Sequence, residues 1–204
     1  MTFSAVFRGF LSSQVLLACC LLVMTGSVSA EETPSLLFGF DTERDTQQWV
    51  SVNDGVMGGR SEGAFRIQEE GILEFYGNLS LENRGGFASI RSRKTSSDLP
   101  NADTLVLRVR GDGRSYYFSL YVPTNRMAYS YRAKFDTETG QWQEIRLPLK
   151  TFQATWFGRK QPNAPEIEGT DIRSLGFTLA DKKAGPFKLD VDWIGTAKGV
   201  ASAL

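Results

Sequence analysis

Apolar residues in this chain come in short alternating or continuous runs, broken every few positions by Gly, Asn, Asp or Pro. No stretch after Ala30 keeps a helical apolar period for ten residues between good caps. That punctuation admits strands and excludes a helical core. Candidate strands fall at 36–40, 48–52, 64–67, 71–76, 105–110, 115–122, 127–135, 141–147, 172–179 and 187–194. Leu105, Leu107 and Val109 share one face against Arg108 and Arg110, and Tyr131, Ala133 and Phe135 alternate with Arg132 and Lys134. In the last run Phe187, Leu189, Val191 and Trp193 are expected inward, opposite Lys188, Asp190 and Asp192. Residues 158–170, rich in Gly and Pro, read as an irregular surface link. About nine or ten strands exceed one open sheet of ordinary width and suit two sheets stacked about 10 Å apart. The expected fold class is all-β, a β-sandwich, and periodicity leaves open whether its connections form a jelly roll or another Greek key.

Composition narrows the chemistry. The 204 residues include 23 Lys and Arg, 23 Asp and Glu, and no His. Without imidazole there is no Ser-His-Asp triad, no Cys-His pair and no His-ligated zinc or iron site. The balanced charge gives no electrostatic footprint for nucleic acid. Residues 1–30 carry one charge, Arg8, then an apolar run at 15–24, and they end in Val28-Ser29-Ala30. This reads as a secretory signal cut after Ala30. The apolar run falls well short of the roughly 20 residues a membrane-spanning helix needs. Leu16-Leu17-Ala18-Cys19 loosely resembles a lipobox, whereas a mitochondrial presequence is expected to be amphipathic and Arg-rich.

The expected organisation is therefore a signal peptide at 1–30, a short extension at 31–36, a β-sandwich domain at 37–195 and a flexible tail at 196–204. Both cysteines, Cys19 and Cys20, leave with the signal, so the remainder has neither a disulfide nor a thiol nucleophile. The protein is expected in the periplasm or outside the cell, with a protein or glycan of the cell envelope as partner. No transmembrane segment is expected after cleavage. No cofactor is expected, and calcium is the one ion left open.

Two glycine-rich stretches are the candidate contact sites. In the first, Asn53, Asp54, Gly55, Met57, Gly58 and Gly59 follow a strand; Gly supplies positive φ and close backbone approach, and Asn and Asp can bond the backbone or a ligand. It lacks the Gly-x-x-x-x-Gly-Lys spacing of a phosphate loop. In the second, Glu82, Asn83, Arg84, Gly85, Gly86 and Phe87 could hydrogen-bond to and stack on a sugar. For both, a purely structural turn or crossing between sheets explains the same residues. Asn78-Leu79-Ser80 fits a glycosylation acceptor, a common tripeptide. Asp190 and Asp192, two apart on a strand, could hold a hard cation or simply face water. A carboxylate-dependent polysaccharide hydrolase needs two carboxylates about 5–10 Å apart in a cleft, and Asp54 and Glu82 are the candidates for that role. Tyr117, Tyr129, Tyr131, Trp142, Trp156 and Trp193 lie at strand spacing and are expected mostly in the core.

Several longer motifs occur in order: Asn53-Asp54-Gly55-Val56-Met57-Gly58-Gly59, Leu107 to Arg114, Trp142-Gln143-Glu144, Gly176 to Lys182 and Gly185 to Gly195. On these the chain, from about Leu37 to Gly195, resembles the family of the complex I intermediate-associated protein, the thirty-kilodalton assembly factor. The resemblance implies a galactose-binding-like jelly-roll β-sandwich. For the mitochondrial members it also implies a non-enzymatic, chaperone-like role in assembling NADH:ubiquinone oxidoreductase. With the export signal, the chain resembles an exported bacterial member. The resemblance supplies no catalytic residue, so the expected function is non-catalytic binding or assembly, with a carbohydrate-binding module-like role as the alternative.

Overall fold

The structure, a computed structural model, describes Met1 and residues 33–41, 47–93, 99, 102–122, 130–156 and 158–198. Expectations for residues 2–32, for the first residues of the 127–135 strand and for 199–204 lie outside the described residues. The strands are β1 (Ser35–Phe38), β2 (Trp49–Ser51), β3 (Glu62–Ile67), β4 (Leu73–Leu79), β5 (Ala88–Ser92), β6 (Thr104–Arg110) and β7 (Ser115–Tyr121). They continue as β8 (Ser130–Asp136), β9 (Trp142–Pro148), β10 (Gln153–Trp156), β11 (Arg159–Lys160), β12 (Ser174–Leu179) and β13 (Gly185–Ala197). They form two antiparallel sheets, the expected β-sandwich. One runs β3-β4-β13-β6-β9 with β1 also on β13, and the other runs β11-β10-β8-β7-β12-β5-β2.

The core lies between the sheets, where alternate residues of facing strands meet. Within one sheet Phe118 and Phe177 are 5.0 Å apart between ring centroids and within the other Phe75 and Phe187 are 4.8 Å apart, and Trp49 of β2 packs on Phe38 of β1, on Phe40 and on Phe177. Leu105, Leu107 and Val109 are fully buried, as their alternation requires.

Three local features depart from the pattern. Trp193 is not in the core: a bulge between Val191 and Trp193 in the pairing with β6 shifts the parity of β13, so that Ile194 is buried instead. The same strand runs to Ala197, pairing Thr196 with Ser35 and Gly195 with Leu36, so both proposed domain edges contain ladder residues. Strands β5, β10 and β11 are additional. β5 has Ile90 as its one bulky apolar residue, and β10 and β11 are four and two residues long, too short to show a period.

Candidate functional site

The two glycine-rich stretches meet. Both cross between the sheets at one edge of the sandwich, the first from β2 to β3 and the second from β4 to β5. Asp54 opens a 3-10 turn, Asp54–Met57, and its fully buried carboxylate joins the crossings. Oδ1 accepts from the Ser61 N–H at 2.9 Å. Oδ2 accepts from the Ser61 hydroxyl at 2.6 Å, the Gly86 N–H at 2.6 Å and the Phe87 N–H at 3.2 Å. Asn53 ties the same elements, donating to the Gly63 carbonyl at 2.9 Å and accepting from the Ser89 N–H at 3.4 Å. The Ser61 hydroxyl also accepts from the Ser80 N–H at 3.0 Å.

The glycines follow from this packing. A Cβ on Gly59 would lie 2.5 Å from Asp54 Oδ1, one on Gly63 2.6 Å from Asn53 Oδ1, and one on Gly85 2.6 Å from Asp54 Oδ2. Gly58, at φ +88, ends the turn in the left-handed region, where glycine carries no Cβ penalty. Burial pushes the Asp54 carboxyl up, but donation from the Ser61 hydroxyl and the Gly86, Ser61 and Phe87 amides outweighs it and holds the group below its ordinary range.

This geometry bears directly on the expected roles. Asn53 and Asp54 face inward and bond the protein's own backbone. Asp54 is therefore a poor general acid, since it is buried, ionised and committed to four donors. Glu82 lies on the surface and pairs with Arg60 at 2.9 Å, so the two carboxylates do not form the open acid–base pair of a hydrolase. Asn83 occupies the left-handed region at φ 54 inside the turn Glu82–Arg84, and Gly86 sits at φ +127. The Arg84 side chain lies outside the described residues. Phe87 is half-buried, and its carbonyl accepts from the Asp54 N–H at 3.3 Å. The crossings present three large apolar side chains to solvent, Val56 at 75% exposed, Met57 at 57% and Leu81 at 45%, beside the exposed Arg60–Glu82 ion pair. Sequence reading singled out Met57 but missed Val56, Leu81 and the serines that close the network.

The Asp190 and Asp192 candidates face outward from β13, and each meets a guanidinium. Arg110 donates to Asp190 at 2.8 and 3.0 Å, and Arg108 lies 2.8 Å from Asp192. Lys188 stands 3.4 Å from the other Asp190 oxygen. On the same face Arg66 donates to Glu74 at 2.9 and 3.0 Å, while Arg108 and Arg110 lie over the Trp142 ring. These carboxylates form a charge-paired ladder, and the described residues contain no cluster of three or more metal-ligating side chains. A second pairing joins two of the sequence motifs. Arg114 donates to Asp181 at 2.7 and 3.0 Å and to the Pro186 carbonyl at 2.9 Å, anchoring the turn between β12 and β13.

Comparison with known proteins places these features. The profile of a family described as complex I intermediate-associated protein 30 matches residues 38–191. The mouse mitochondrial protein of that name is 31% identical over 185 residues, 80% of this chain and 56% of the mouse protein. The probable Caenorhabditis elegans counterpart is 30% identical, covering 78% of this chain and 52% of its own length. The chain thus spans about half the length of the curated relatives it matches. Among solved structures it is similar to the family 11 carbohydrate-binding module of a Clostridium thermocellum cellulosomal cellulase. The TM-score is 0.61 at 13% identity, over 83% of this chain and 98% of the module. The solution structure of the same family's module gives 0.60 at 16% identity, over 85% of this chain and 99% of that one. At that identity the likeness is one of fold. The named relatives are mitochondrial, which overturns the expectation of an exported, periplasmic or extracellular protein. An apolar leader shows that a segment is hydrophobic, not which machinery reads it. With export goes the expectation of a cell-envelope partner. No helix among the described residues is long and apolar enough to cross a membrane.

Proposed function

Because this chain belongs to the complex I intermediate-associated protein 30 family, we propose that it is a non-catalytic module that binds a protein component of a complex I assembly intermediate. The observation that carries this reading is the pair of crossings bound through Asp54. Asp54 is directed into the protein, and the large apolar side chains that the crossings offer to solvent are Val56, Met57 and Leu81, beside the Arg60–Glu82 ion pair. A preorganised apolar tip suits transient capture of an apolar protein surface, because little conformational entropy is lost on contact. The non-catalytic reading is supported by the absence of His, the placement of both Cys before Ala30 and the structural commitment of Asp54 and Glu82. The carbohydrate-binding alternative has the fold likeness in its favour, and one scaffold hosts many functions.

The test is co-purification. The tagged protein is crosslinked in mitochondria, and complex I subunits are quantified in the eluate for the wild type and for a Val56→Ser, Met57→Ser, Leu81→Ser triple variant. Loss of most of the captured complex I subunits at unchanged protein level is the expected result. Equal capture by the variant rules out the tip, and absence of complex I subunits from the wild-type eluate rules out the function.

A further inference from the structure

The outer faces of the two sheets treat arginine differently. On the six-stranded sheet, described arginines pair with carboxylates across neighbouring strands: Arg66 with Glu74, Arg110 with Asp190, and Arg108 with Asp192. On the seven-stranded sheet, cross-strand pairing sets Arg91, Gly176, Ser119, Arg132 and Gln153 in one row over β5, β12, β7, β8 and β10. Neither Arg91 nor Arg132 has an acidic partner among the described residues, and the Nε of each is buried with no hydrogen-bond partner. A buried donor without an acceptor is costly, and such groups call for an explanation.

The two cations also share this face. Their strands are three spacings apart, roughly 14 Å at about 4.8 Å per strand. The Arg91 guanidinium carbon nevertheless lies 3.4 Å from the centre of the Tyr121 ring on β7. The cross-strand neighbour of Arg91 on β12 is Gly176, which has no side chain to obstruct that reach. Arg132 is the direct cross-strand neighbour of Ser119 on the same β7. Around them the face carries hydroxyls: Ser119 and Thr178 lie 3.4 Å apart, and Tyr117 and Tyr121 flank Ser119 at strand spacing. Two like charges on one face with only Gly176 and Ser119 in the row between them repel each other, and an anion bound between them relieves that repulsion.

The geometry points to an oxyanion-binding site here, in which Arg91 and Arg132 clamp a carboxylate or phosphoryl group over Ser119, with the flanking tyrosines framing the rest of the ligand. Each free Nε edge supplies the donor that a planar fork presents to such a group. This site does not depend on the assembly reading, since it involves none of Val56, Met57 and Leu81.

The full-length protein is titrated, at ionic strength held constant with sodium chloride, with inorganic phosphate and separately with glutarate. The arginine Nε–H resonances are followed by two-dimensional NMR. Saturable shifts of the Arg91 and Arg132 Nε–H signals are expected with at least one probe, and the probe that acts distinguishes a phosphoryl from a carboxylate ligand. Arg132→Gln should weaken binding about tenfold or more. Gln153→Glu gives Arg132 a carboxylate across the strand at an exposed position. It should weaken binding similarly while leaving the fold intact, so a folding failure of the arginine variant does not decide the matter. Absence of a shift with both probes, an equal shift with chloride alone, or unchanged affinity in Gln153→Glu overturns the site.

Discussion

Replacing Asp54 with Asn tests whether one carboxylate closes the edge of the sandwich. The substitution keeps shape and burial but leaves one acceptor oxygen where there were two. Placed at the Oδ2 position, that oxygen keeps the Ser61 hydroxyl and the Gly86 and Phe87 amides, and the new NH2 then faces the Ser61 N–H, formerly 2.9 Å from Oδ1. Stranding one buried donor costs about 1–3 kcal/mol, and the three remaining bonds weaken when their acceptor loses its charge. The sum is about 3 kcal/mol, which at about 2–4 °C per kcal/mol for a domain of this size predicts a fall in Tm of about 6–12 °C at neutral pH. The pH dependence gives an internal control. The folded Asp54 carboxyl sits below its ordinary value of 3.8, so its stabilisation is complete above that value and disappears as pH falls through the lower folded one. Thermal unfolding of both proteins from pH 7 to pH 3 should therefore show the gap narrowing at the acid end, while titrations common to both proteins cancel in the difference. A gap under about 2 °C at pH 7, or one that stays constant to pH 3, refutes the argument.

Other substitutions test neighbouring parts of the argument. Arg114→Met leaves the buried Asp181 carboxylate without its guanidinium and should destabilise by about 3–5 kcal/mol in denaturant unfolding. In that variant the Asp181 carboxyl, which burial raises and Arg114 brings down in the wild type, should titrate higher by NMR. Ile194→Ala should cost about 2–5 kcal/mol and Trp193→Ala clearly less; the reverse order would place the β13 bulge wrongly. Gly59→Ala forces a methyl into the Asp54 carboxyl and should cost about 1–3 kcal/mol by chemical denaturation. Val56→Ser with Met57→Ser should change Tm by little, about 0.5 kcal/mol or less in stability, because both side chains already face solvent.

Much of the sandwich was legible because a strand buried on one face must alternate, and β8, the latter part of β6 and most of β13 do, while β12, buried at all six positions, still alternates Leu175, Phe177 and Leu179 with small residues. Trp193 misled because a bulge adds a residue without leaving a mark on composition, and every inward position beyond it changes parity. In the candidate site, glycine clusters and Asn53-Asp54 flagged both crossings, but nothing local said that they touch. Asp54 and Gly86 are 32 residues apart, and only the sheet order makes them neighbours. The same holds for Arg114 and Asp181, which lie in separate motifs and prove to be the two halves of one contact. The most recognisable motifs thus encode the joints of the scaffold, so recognising them identified the fold better than the contact surface.

The contrast between the outer faces follows from the same limit. Period two places Arg132, Arg108 and Arg110 outward alike, whereas Arg91 lies on β5, a strand that periodicity did not mark. Register separates them. On β6 the arginines fall opposite the acids of β13, so charge is neutralised within the sheet. Between β5 and β8 the intervening row contains Gly176 and Ser119, which supply no negative charge, so two cations share the face with no carboxylate between them and their Nε donors unfilled. An uncompensated pair of this kind is unfavourable in the isolated fold and becomes favourable once an oxyanion enters. If the face gives up stability for anion binding, Ser119→Asp, which puts a carboxylate in the row between the two arginines, should raise Tm and abolish the phosphate or glutarate response together. A higher Tm with that response retained would separate the arginines from anion binding.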